Sequence, residues 1–239
     1  MRFAEFTALA RRAELWLLPG ECLHCHATVG PEDPLICAPC QSRWRDLPHP
    51  QCERCGQPTA GVAAACRICA AWPDGLVRAR SAVWLDEQAR GAVHHLKYGG
   101  WWRVAEPMAR VVSRLEPLLH EGFLVPIPLA RKRIRSRGYN QAERLAEALA
   151  VRTRLTCRSD FLARERETPT QTALPPEARR ANVSGAFRAG ALPARARVVL
   201  VDDVFTTGAT LSEAAAALLE AGAGTVEAVT FARARPPVW

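Results

Sequence analysis

The chain of 239 residues can form one large domain or a small module joined to a medium-sized one, and its composition favours the second arrangement. With 49% hydrophobic and 23% charged residues it can bury a core, which excludes disorder as the default. The formal charge of +8 favours anionic partners, among which phosphorylated metabolites, nucleic acid and acidic proteins all qualify. Charged residues interrupt every long apolar run, so we expect no membrane span.

Residues 1–20 predict an amphipathic N-terminal helix that ends at Pro19-Gly20. We interpret its apolar face as a packing surface in preference to a membrane-binding one. Charged side chains interrupt the apolar region that a secretory signal requires, so we expect a cytoplasmic protein. The apolar positions at helical spacing are Phe6, Leu9, Ala10, Ala13, Trp16 and Leu17.

Eight of the nine cysteines form four C-x-x-C pairs within residues 21–75. Two residues between thiolates allow one tight turn to present both sulfurs to a tetrahedral ion, and two turns complete a four-sulfur zinc site. The short loops within each half favour two consecutive zinc ribbons. Four thiolates leave zinc no open position for water, so we predict two structural zinc ions. The pairs are Cys22/Cys25, Cys37/Cys40, Cys52/Cys55 and Cys66/Cys69.

Alternative interpretations of these cysteines remain open at this stage. A cross-braced arrangement would let alternate pairs share an ion. Disulfides are disfavoured by a reducing cytoplasm, and a redox motif would need one pair in a βαβ context. Nearby histidines are not needed as ligands, since eight thiolates fill two sites. Arg43, Arg45 and Arg54, together with Trp44, offer weak support for nucleic-acid binding, and a solvated surface explains them equally well.

Residues 76–239 show short apolar strands alternating with helices, which predicts a parallel α/β sheet flanked by helices. A connection precedes them, from Cys69 to about Arg80. Asn140 and Glu143 have the spacing of a helix N-cap and its partner. The predicted elements are a strand at 82–85, a helix at 86–96, a helix at 104–119, a strand at 123–127, a basic loop at 131–137 and a helix from 140 to about 151.

The segment from Val198 to Leu211 carries the most information about function. Four apolar residues predict a buried strand, and Asp202 and Asp203 emerge where it ends, at the edge where parallel sheets bind ligands. The next five residues are small enough for backbone N–H groups to surround a phosphate, and Thr210 and Glu213 predict a capping box at a helix start. With both carboxylates accepting hydrogen bonds from vicinal hydroxyls, the segment predicts a ribose 5-phosphate site. The phosphate-binding residues would be Thr206, Thr207, Gly208, Ala209 and Thr210.

The same segment resembles the phosphoribosylpyrophosphate (PRPP) signature of type I phosphoribosyltransferases. That pattern is an apolar strand, two acidic residues, two variable residues and then T-T-G-x-T or D-T-G-x-T. Family members that act on 6-oxopurines usually carry Asp at the position of Thr206. The resemblance therefore implies a substrate other than hypoxanthine or guanine.

Three further segments and the cysteine-rich N-terminus resemble the ComF family of competence-associated proteins. Lys97, in the sequence HHLKY, also matches a motif of that family, although an exposed lysine at a helix end explains it without function. The resemblance implies a double zinc ribbon fused to a phosphoribosyltransferase-like domain, often linked to DNA uptake or use. The segments are 125–133 (VPIPLARKR), 137–141 (RGYNQ) and 164–187, with Thr168, Gln171, Leu174, Arg179 and Asn182.

By the same resemblance, Arg131, Lys132 and Arg133 hold the pyrophosphate of PRPP, with a solvated basic turn as the alternative. Residues 164–182 are predicted to form a long loop, which would either close over PRPP or serve as an inert linker. Mg²⁺ would bridge pyrophosphate oxygens and ribose hydroxyls.

Three functions are compatible with the sequence. The first is a phosphoribosyltransferase. The second is a non-enzymatic adaptor that binds ribose phosphate while its zinc module contacts single-stranded DNA or competence proteins. The third, a zinc-ribbon transcription regulator, lacks a helix-turn-helix signal.

Overall fold

The computed structural model describes residues 20–30, 35–59, 66–115, 119–166 and 185–235. The helix expected at residues 1–20 lies outside this range except for Gly20, and so does most of the predicted loop at 164–182. Among the described helices, none has both the length and the apolar character needed to cross a membrane.

The cysteine-rich region contains little regular structure. Strand β1 (Gly20–Glu21) pairs antiparallel with β2 (Thr28–Val29), and helix α1 (Ala38–Gln41) begins directly after Cys37 and contains Cys40. Within the described residues, the second half of the region has an isolated antiparallel bridge between Gln51 and Pro58. Short turns of this kind suit a module whose fold depends on metal ligands.

The central sheet has five parallel strands in the order β3-β9-β8-β4-β5, which confirms the predicted fold class. Strand β3 begins several residues before the predicted strand at 82–85, so part of the expected connection is sheet. The strands are β3 (Leu76–Trp84), β4 (Phe123–Pro126), β5 (Thr156–Cys157), β8 (Arg197–Phe205) and β9 (Thr225–Arg233).

Helices cover both faces of this sheet. Alternate residues of β8 point to opposite faces, Val199 and Val201 into one core and Val198 and Leu200 into the other. Three helices pack on the first core and the last described helix packs on the second, whereas the helix at 131–137 buries none of its residues. The helices are α2 (Glu87–Tyr98), α3 (Ala105–Val112), α4 (Arg131–Arg137), α5 (Gln141–Thr153) and α6 (Ala209–Glu220).

Two sequence expectations about the helices were wrong. The helix predicted at 104–119 is a 3₁₀ turn (Trp102–Val104) followed by α3, which ends at Val112. The basic segment 131–137 is helix α4 instead of a loop. Arginine, lysine and isoleucine all tolerate helix, and Gly138, with φ of 84°, ends it in the left-handed conformation.

The chain reverses direction across the sheet between β4 and β8. After β4 it continues through α5 on the first face, and after β8 it continues through α6 on the second. Adjacent parallel strands with connections on opposite faces leave a crevice at their carboxyl ends. A separate antiparallel pair, β6 (Leu162–Arg164) and β7 (Phe187–Ala189), joins the two ends of the segment that includes the predicted loop.

Candidate ribose-phosphate site and cysteine tetrads

A cavity of about 490 Å³ lies at the carboxyl ends of β4 and β8. Thr206, Gly208 and Thr210 line it from one side, and Asp202 and Asp203 line it from the strand. Cationic side chains complete the wall, namely Arg90, Lys97, Arg133, Arg137 and Arg164. One cavity therefore joins the predicted phosphate loop, the carboxylate pair and a set of positive charges.

The predicted phosphate loop connects β8 directly to α6. Gly208 has a left-handed φ of 76° and is the N-cap of α6, so its conformation suits glycine. The predicted capping box was wrong, because Thr210 already lies inside the helix and the Glu213 carboxylate accepts a hydrogen bond from the Gly185 amide instead. Thr207 and Ala209 face a second cavity of about 90 Å³ behind the loop.

Asp203 does not project beyond the strand as expected, since its side chain is 3% exposed and forms an ion pair with Lys97. Gln141 donates a second hydrogen bond to this carboxylate at 3.3 Å and accepts one from Arg137. Burial alone would lower the pKa of Lys97, but the Asp203 carboxylate raises it above its usual value. Lys97 is thus a cavity residue, contrary to the interpretation as an exposed helix end.

Asp202 occupies a different environment from its neighbour. Its side chain keeps partial exposure to the cavity, and its Oδ1 accepts a hydrogen bond from the Asp203 amide at 2.9 Å. Burial and the adjacent Asp203 carboxylate raise the pKa of Asp202 well above its usual range, with Lys97 opposing the shift. A cation or a hydroxyl donor on a bound ligand would stabilise the ionised form of this carboxyl group.

Helix α4 divides the predicted pyrophosphate residues into two groups. Arg133 lines the cavity, whereas Arg131 and Lys132 are exposed and do not appear in its described lining. Arg164 faces the same space, and burial together with nearby Arg133 lowers the pKa of its guanidinium. Two guanidinium groups held close together favour an anion between them.

Lys97, Arg137, Gln141 and Arg164 were not named as site residues from the sequence alone. Each lies in a segment that carried the ComF resemblance, which was the available signal. No local pattern indicated that Lys97 would meet Asp203, because α2 and β8 are distant in sequence and the fold brings them together.

The eight cysteines group as two tetrads in chain order, Cys22/25/37/40 and Cys52/55/66/69, with the sulfurs of each tetrad within 4.8 Å of one another. This excludes the cross-braced alternative. Sulfur–sulfur distances of 3.5 to 3.8 Å match the edge of a zinc–sulfur tetrahedron, about 3.8 Å, and are too long for a disulfide. Among the described residues, these tetrads are the groups of three or more His, Cys, Asp or Glu side chains that could hold a metal ion.

The electrostatics of the tetrads also fit a cation. Burial would raise the pKa of Cys22, but backbone amides, that of Cys37 first, lower it to about 6. The same opposition lowers the pKa of Cys52 to about 7. Burial and neighbouring sulfurs raise the pKa of Cys40 and Cys55. Four thiolates in one cluster would repel one another without a bound cation, and a four-sulfur donor set fits zinc.

The proposed nucleic-acid residues of the zinc module differ in exposure. Trp44 is buried and packs edge-on against Phe231, with ring centroids 4.9 Å apart, so it is not available for base stacking. Arg54 donates hydrogen bonds to backbone carbonyls, among them those of Leu76 and Pro73. Arg43 and Arg45 remain exposed.

The fold and the site define a phosphoribosyltransferase-type domain preceded by a double zinc ribbon. Residues 134–237 match the phosphoribosyl transferase domain family, and residues 15–71 match the double zinc ribbon domain family. The DNA utilization protein YhgH of Escherichia coli O157:H7 is 31% identical over 218 residues, covering 88% of this chain and 95% of that protein. Competence protein F of Haemophilus influenzae is 27% identical, covering 89% and 96%. Competence protein ComFC of Bacillus subtilis is 29% identical, covering 84% and 85%. The chain belongs to the ComF family, which includes these competence and DNA utilization proteins.

Proposed function

We propose that the 490 Å³ cavity binds a ribose 5-phosphate group, with PRPP as the ligand that uses all of its parts, and that the protein serves DNA uptake or utilisation. The observation that carries the proposal is that a glycine-containing loop at a helix N-terminus and a carboxylate pair open into one cavity. The names of the relatives support the link to DNA.

The phosphate end of the site is the loop from Thr206 to Thr210. Helix α6 is 12 residues long, and its N-terminus follows Gly208 directly. Its first amides have no intrahelical acceptor, and the helix dipole adds partial positive charge at the same place. A phosphate there would accept these amide hydrogen bonds and those of the threonine hydroxyls.

The ribose end is formed by the two carboxylates. Asp203 is held by Lys97 and Gln141, so its orientation is set before any ligand arrives. Asp202 retains exposure to the cavity and would accept hydrogen bonds from the 2- and 3-hydroxyls of ribose. A vicinal diol is the group that satisfies such an acceptor pair.

Arg133 and Arg164 are suited to a second anionic group, the pyrophosphate of PRPP, because both line the cavity and Arg133 lowers the pKa of Arg164. Arg131 and Lys132 would then act from the exposed side of α4 as part of the field that attracts the ligand. Mg²⁺ fits as an ion that arrives with ligand oxygens, for which Asp202 supplies a carboxylate.

Transfer of the ribosyl group is the enzymatic form of this proposal, and binding without transfer is the adaptor form. Both need the same cavity, and pyrophosphate release in the presence of mixed nucleobases or amines distinguishes them. Release would support a transferase, and PRPP binding without release would support the adaptor.

The first test is Asp202→Asn, measured by calorimetry with ribose 5-phosphate and with PRPP plus Mg²⁺. Hydrogen bonds to a charged group contribute about 1.5 to 3 kcal/mol, so affinity should fall about 10- to 100-fold at a pH where Asp202 is ionised. Asp160→Asn is the matched control, because Asp160 is an exposed carboxylate paired with Arg158 outside the cavity lining. Wild-type protein that bound neither ligand would contradict the proposal.

The dependence on pH sharpens this test. Because the folded-state pKa of Asp202 is raised, the folded protein holds that proton more tightly than the unfolded chain. The contribution to stability is therefore present at low pH and is lost as pH rises through the folded-state pKa, while affinity for the diol rises over the same range. Asp202→Asn should remove the stability trend and leave only the part of the affinity trend that comes from ionisation of the ligand phosphate, whose second pKa is about 6. Wild-type protein whose affinity showed the same pH dependence as that of Asp202→Asn would exclude Asp202 as the acceptor.

Single-stranded DNA is the second partner that we propose, and the structure favours a surface beside the cavity. Tyr98, Trp101 and Trp102 are exposed, and arginine side chains lie 5.3 Å from the rings of Tyr98 and Trp102. Exposed rings beside arginines offer both stacking and charge, whereas Arg43 and Arg45 offer charge without an accessible ring.

The test compares Trp101→Ala/Trp102→Ala with Arg43→Glu/Arg45→Glu by fluorescence anisotropy of labelled oligothymidylate. Stacking contributes about 1 to 3 kcal/mol per base, so the tryptophan variant should lose at least about fivefold at every salt concentration. The arginine variant should mainly reduce the salt dependence. If the Arg43→Glu/Arg45→Glu variant lost affinity at every salt concentration and the tryptophan variant did not, DNA binding would be assigned to the zinc module.

A further inference from the structure

Arg233, the last residue of β9, is buried to 1% exposure, and its partners lie in the second ribbon. Its guanidinium donates to the Cys55 carbonyl at 2.9 Å and to the Gln57 side-chain carbonyl at 3.0 Å, and Nη2 lies 3.9 Å from the Cys55 sulfur. A buried arginine ordinarily pairs with a carboxylate. Here the sulfur of a metal-ligand cysteine lies beside the charge, so the ribbon supplies the counter-ion.

The flat face of the same guanidinium lies 3.9 Å from the ring centroid of Phe205. Phe205 ends β8, directly before the phosphate loop. A Cβ built on Gly208 would lie 2.9 Å from the Phe205 ring and 2.9 Å from the Trp72 ring, so this glycine is enclosed by two aromatic side chains. The loop therefore rests on both rings.

Trp72 is also held by the second ribbon. The Arg54 guanidinium lies 5.9 Å from its ring centroid and donates to the carbonyls of Cys69 and Trp72 itself. The rings of Trp72 and Phe205 are 6.1 Å apart. The back of the phosphate loop is thus a pair of aromatic rings, each beside an arginine that binds the backbone of the second ribbon.

We propose that the second ribbon is the back wall of the phosphate loop and that Arg233 is the positioning residue that couples the two. Metal binding orders the segment around Cys55, Arg233 transmits that order to Phe205, and Phe205 with Trp72 fixes the loop in its anion-binding shape. A loop that is already ordered binds its ligand without a further entropic cost. The ligand part of this inference rests on the proposed function, and the coupling itself does not.

The test is Arg233→Met, which keeps much of the side-chain volume and removes the donors. Metal analysis should still find two zinc ions per chain, since no ligand changes. Hydrogen exchange of the peptide covering residues 206–210 should accelerate, and affinity for ribose 5-phosphate should fall about tenfold. Arg233→Lys, which retains a cation over the Phe205 ring, should restore part of the exchange protection.

Arg80→Met is the matched control. Arg80 donates to the Glu53 carbonyl of the same ribbon at 2.8 Å and to the Ala79 carbonyl of β3, whereas Arg233 also contacts a ring behind the loop. If hydrogen exchange at 206–210 accelerated equally in Arg233→Met and Arg80→Met, the cause would be a general loosening of the ribbon, and the proposed coupling would be wrong. Arg233→Met with wild-type exchange at 206–210 would overturn it as well.

Two further measurements apply if Arg233→Met does not fold or if the wild-type protein does not bind ribose 5-phosphate. If Arg233→Met does not fold, Phe205→Leu leaves the bonds between Arg233 and Cys55 in place and should reproduce the fast exchange of the loop. If wild-type protein does not bind ribose 5-phosphate, the proposed function fails, whereas the exchange difference between the Arg233 and Arg80 variants still decides the coupling.

Discussion

The two zinc ribbons have the same first turn and different surroundings. In each, the amide of the first cysteine donates to the carbonyl five residues later, at 2.8 Å in both. The residue four positions after that cysteine has a left-handed backbone in both, His26 with φ of 59° and Gly56 with φ of 70°. Spacing therefore determines the metal-binding turn, and a residue other than glycine is accepted where the ligands hold it.

The surroundings assign the two ribbons to different parts of the domain. The first ribbon lies on α2, where the His24 ring occupies the space that a side chain at Gly91 would need. The second ribbon lies against the back of the phosphate loop through Arg233 and Trp72. Identical motifs thus have unequal consequences, because function depends on what each ribbon contacts.

The largest expected difference comes from Cys37→Ser and Cys66→Ser. These are the third ligands of their tetrads and are equally half-buried, which makes them a matched pair. Each variant should lose about one of two zinc ions, because structural zinc in such sites contributes about 10 to 16 kcal/mol to local folding. Cys66→Ser should also reduce ribose 5-phosphate affinity at least about tenfold, and Cys37→Ser should leave it nearly unchanged.

Metal analysis, limited proteolysis and calorimetry check this pair. Cleavage should appear near the altered tetrad in each case, within residues 20–46 or 47–71. Wild-type protein with one zinc ion or none would refute the two-site assignment. Equal affinity for ribose 5-phosphate in the two variants would refute the functional difference between the ribbons.

A smaller effect is expected from Lys97→Met, which tests whether α2, the support of the first ribbon, also holds the cavity. Removing one partner of a buried ion pair costs about 3 to 5 kcal/mol, because the other charge is left unpaired. The raised pKa of Lys97 means that its contribution is complete at neutral pH and is lost only as pH rises above that value.

Urea denaturation at pH 7 measures this loss. Arg90→Met is the control, since Arg90 is an exposed cation on the same helix and should change the unfolding free energy by less than about 0.5 kcal/mol. Both zinc ions should remain in Lys97→Met. Loss of the first zinc ion would mean that α2 and the first ribbon fold as one unit. The first ribbon could then no longer be considered separate from the cavity.

Much of the fold could be predicted because its signals are local. The strand from Val198, the glycine at 208 and the four cysteine pairs each depend on a few consecutive residues. The prediction of a loop at 131–137 was wrong because clustered charge does not distinguish a loop from an exposed helix, and arginine and lysine are good helix formers. The predicted N-cap of α6 was also wrong, since left-handed Gly208 ends the loop two residues before Thr210.

The site was less predictable than the fold. Asp202 and Asp203 are neighbours in sequence and both line the cavity, yet Asp202 is partly exposed and Asp203 is buried against Lys97. That difference depends on where α2 lies relative to β8, which only the strand order determines. Arg233 is likewise meaningful only once β9 is beside the second ribbon.

The position of Arg233 near the end of the chain also determines when its contact with the second ribbon can form during synthesis. Its partner Cys55 is 178 residues earlier, and β3, which follows the ribbons in sequence, has β9 as its neighbour in the sheet. Contacts between such distant residues form only after the intervening chain exists. The second tetrad can therefore bind its ion while the rest of the chain is still being translated. Its contact with Arg233 forms only after the last strand has been synthesised.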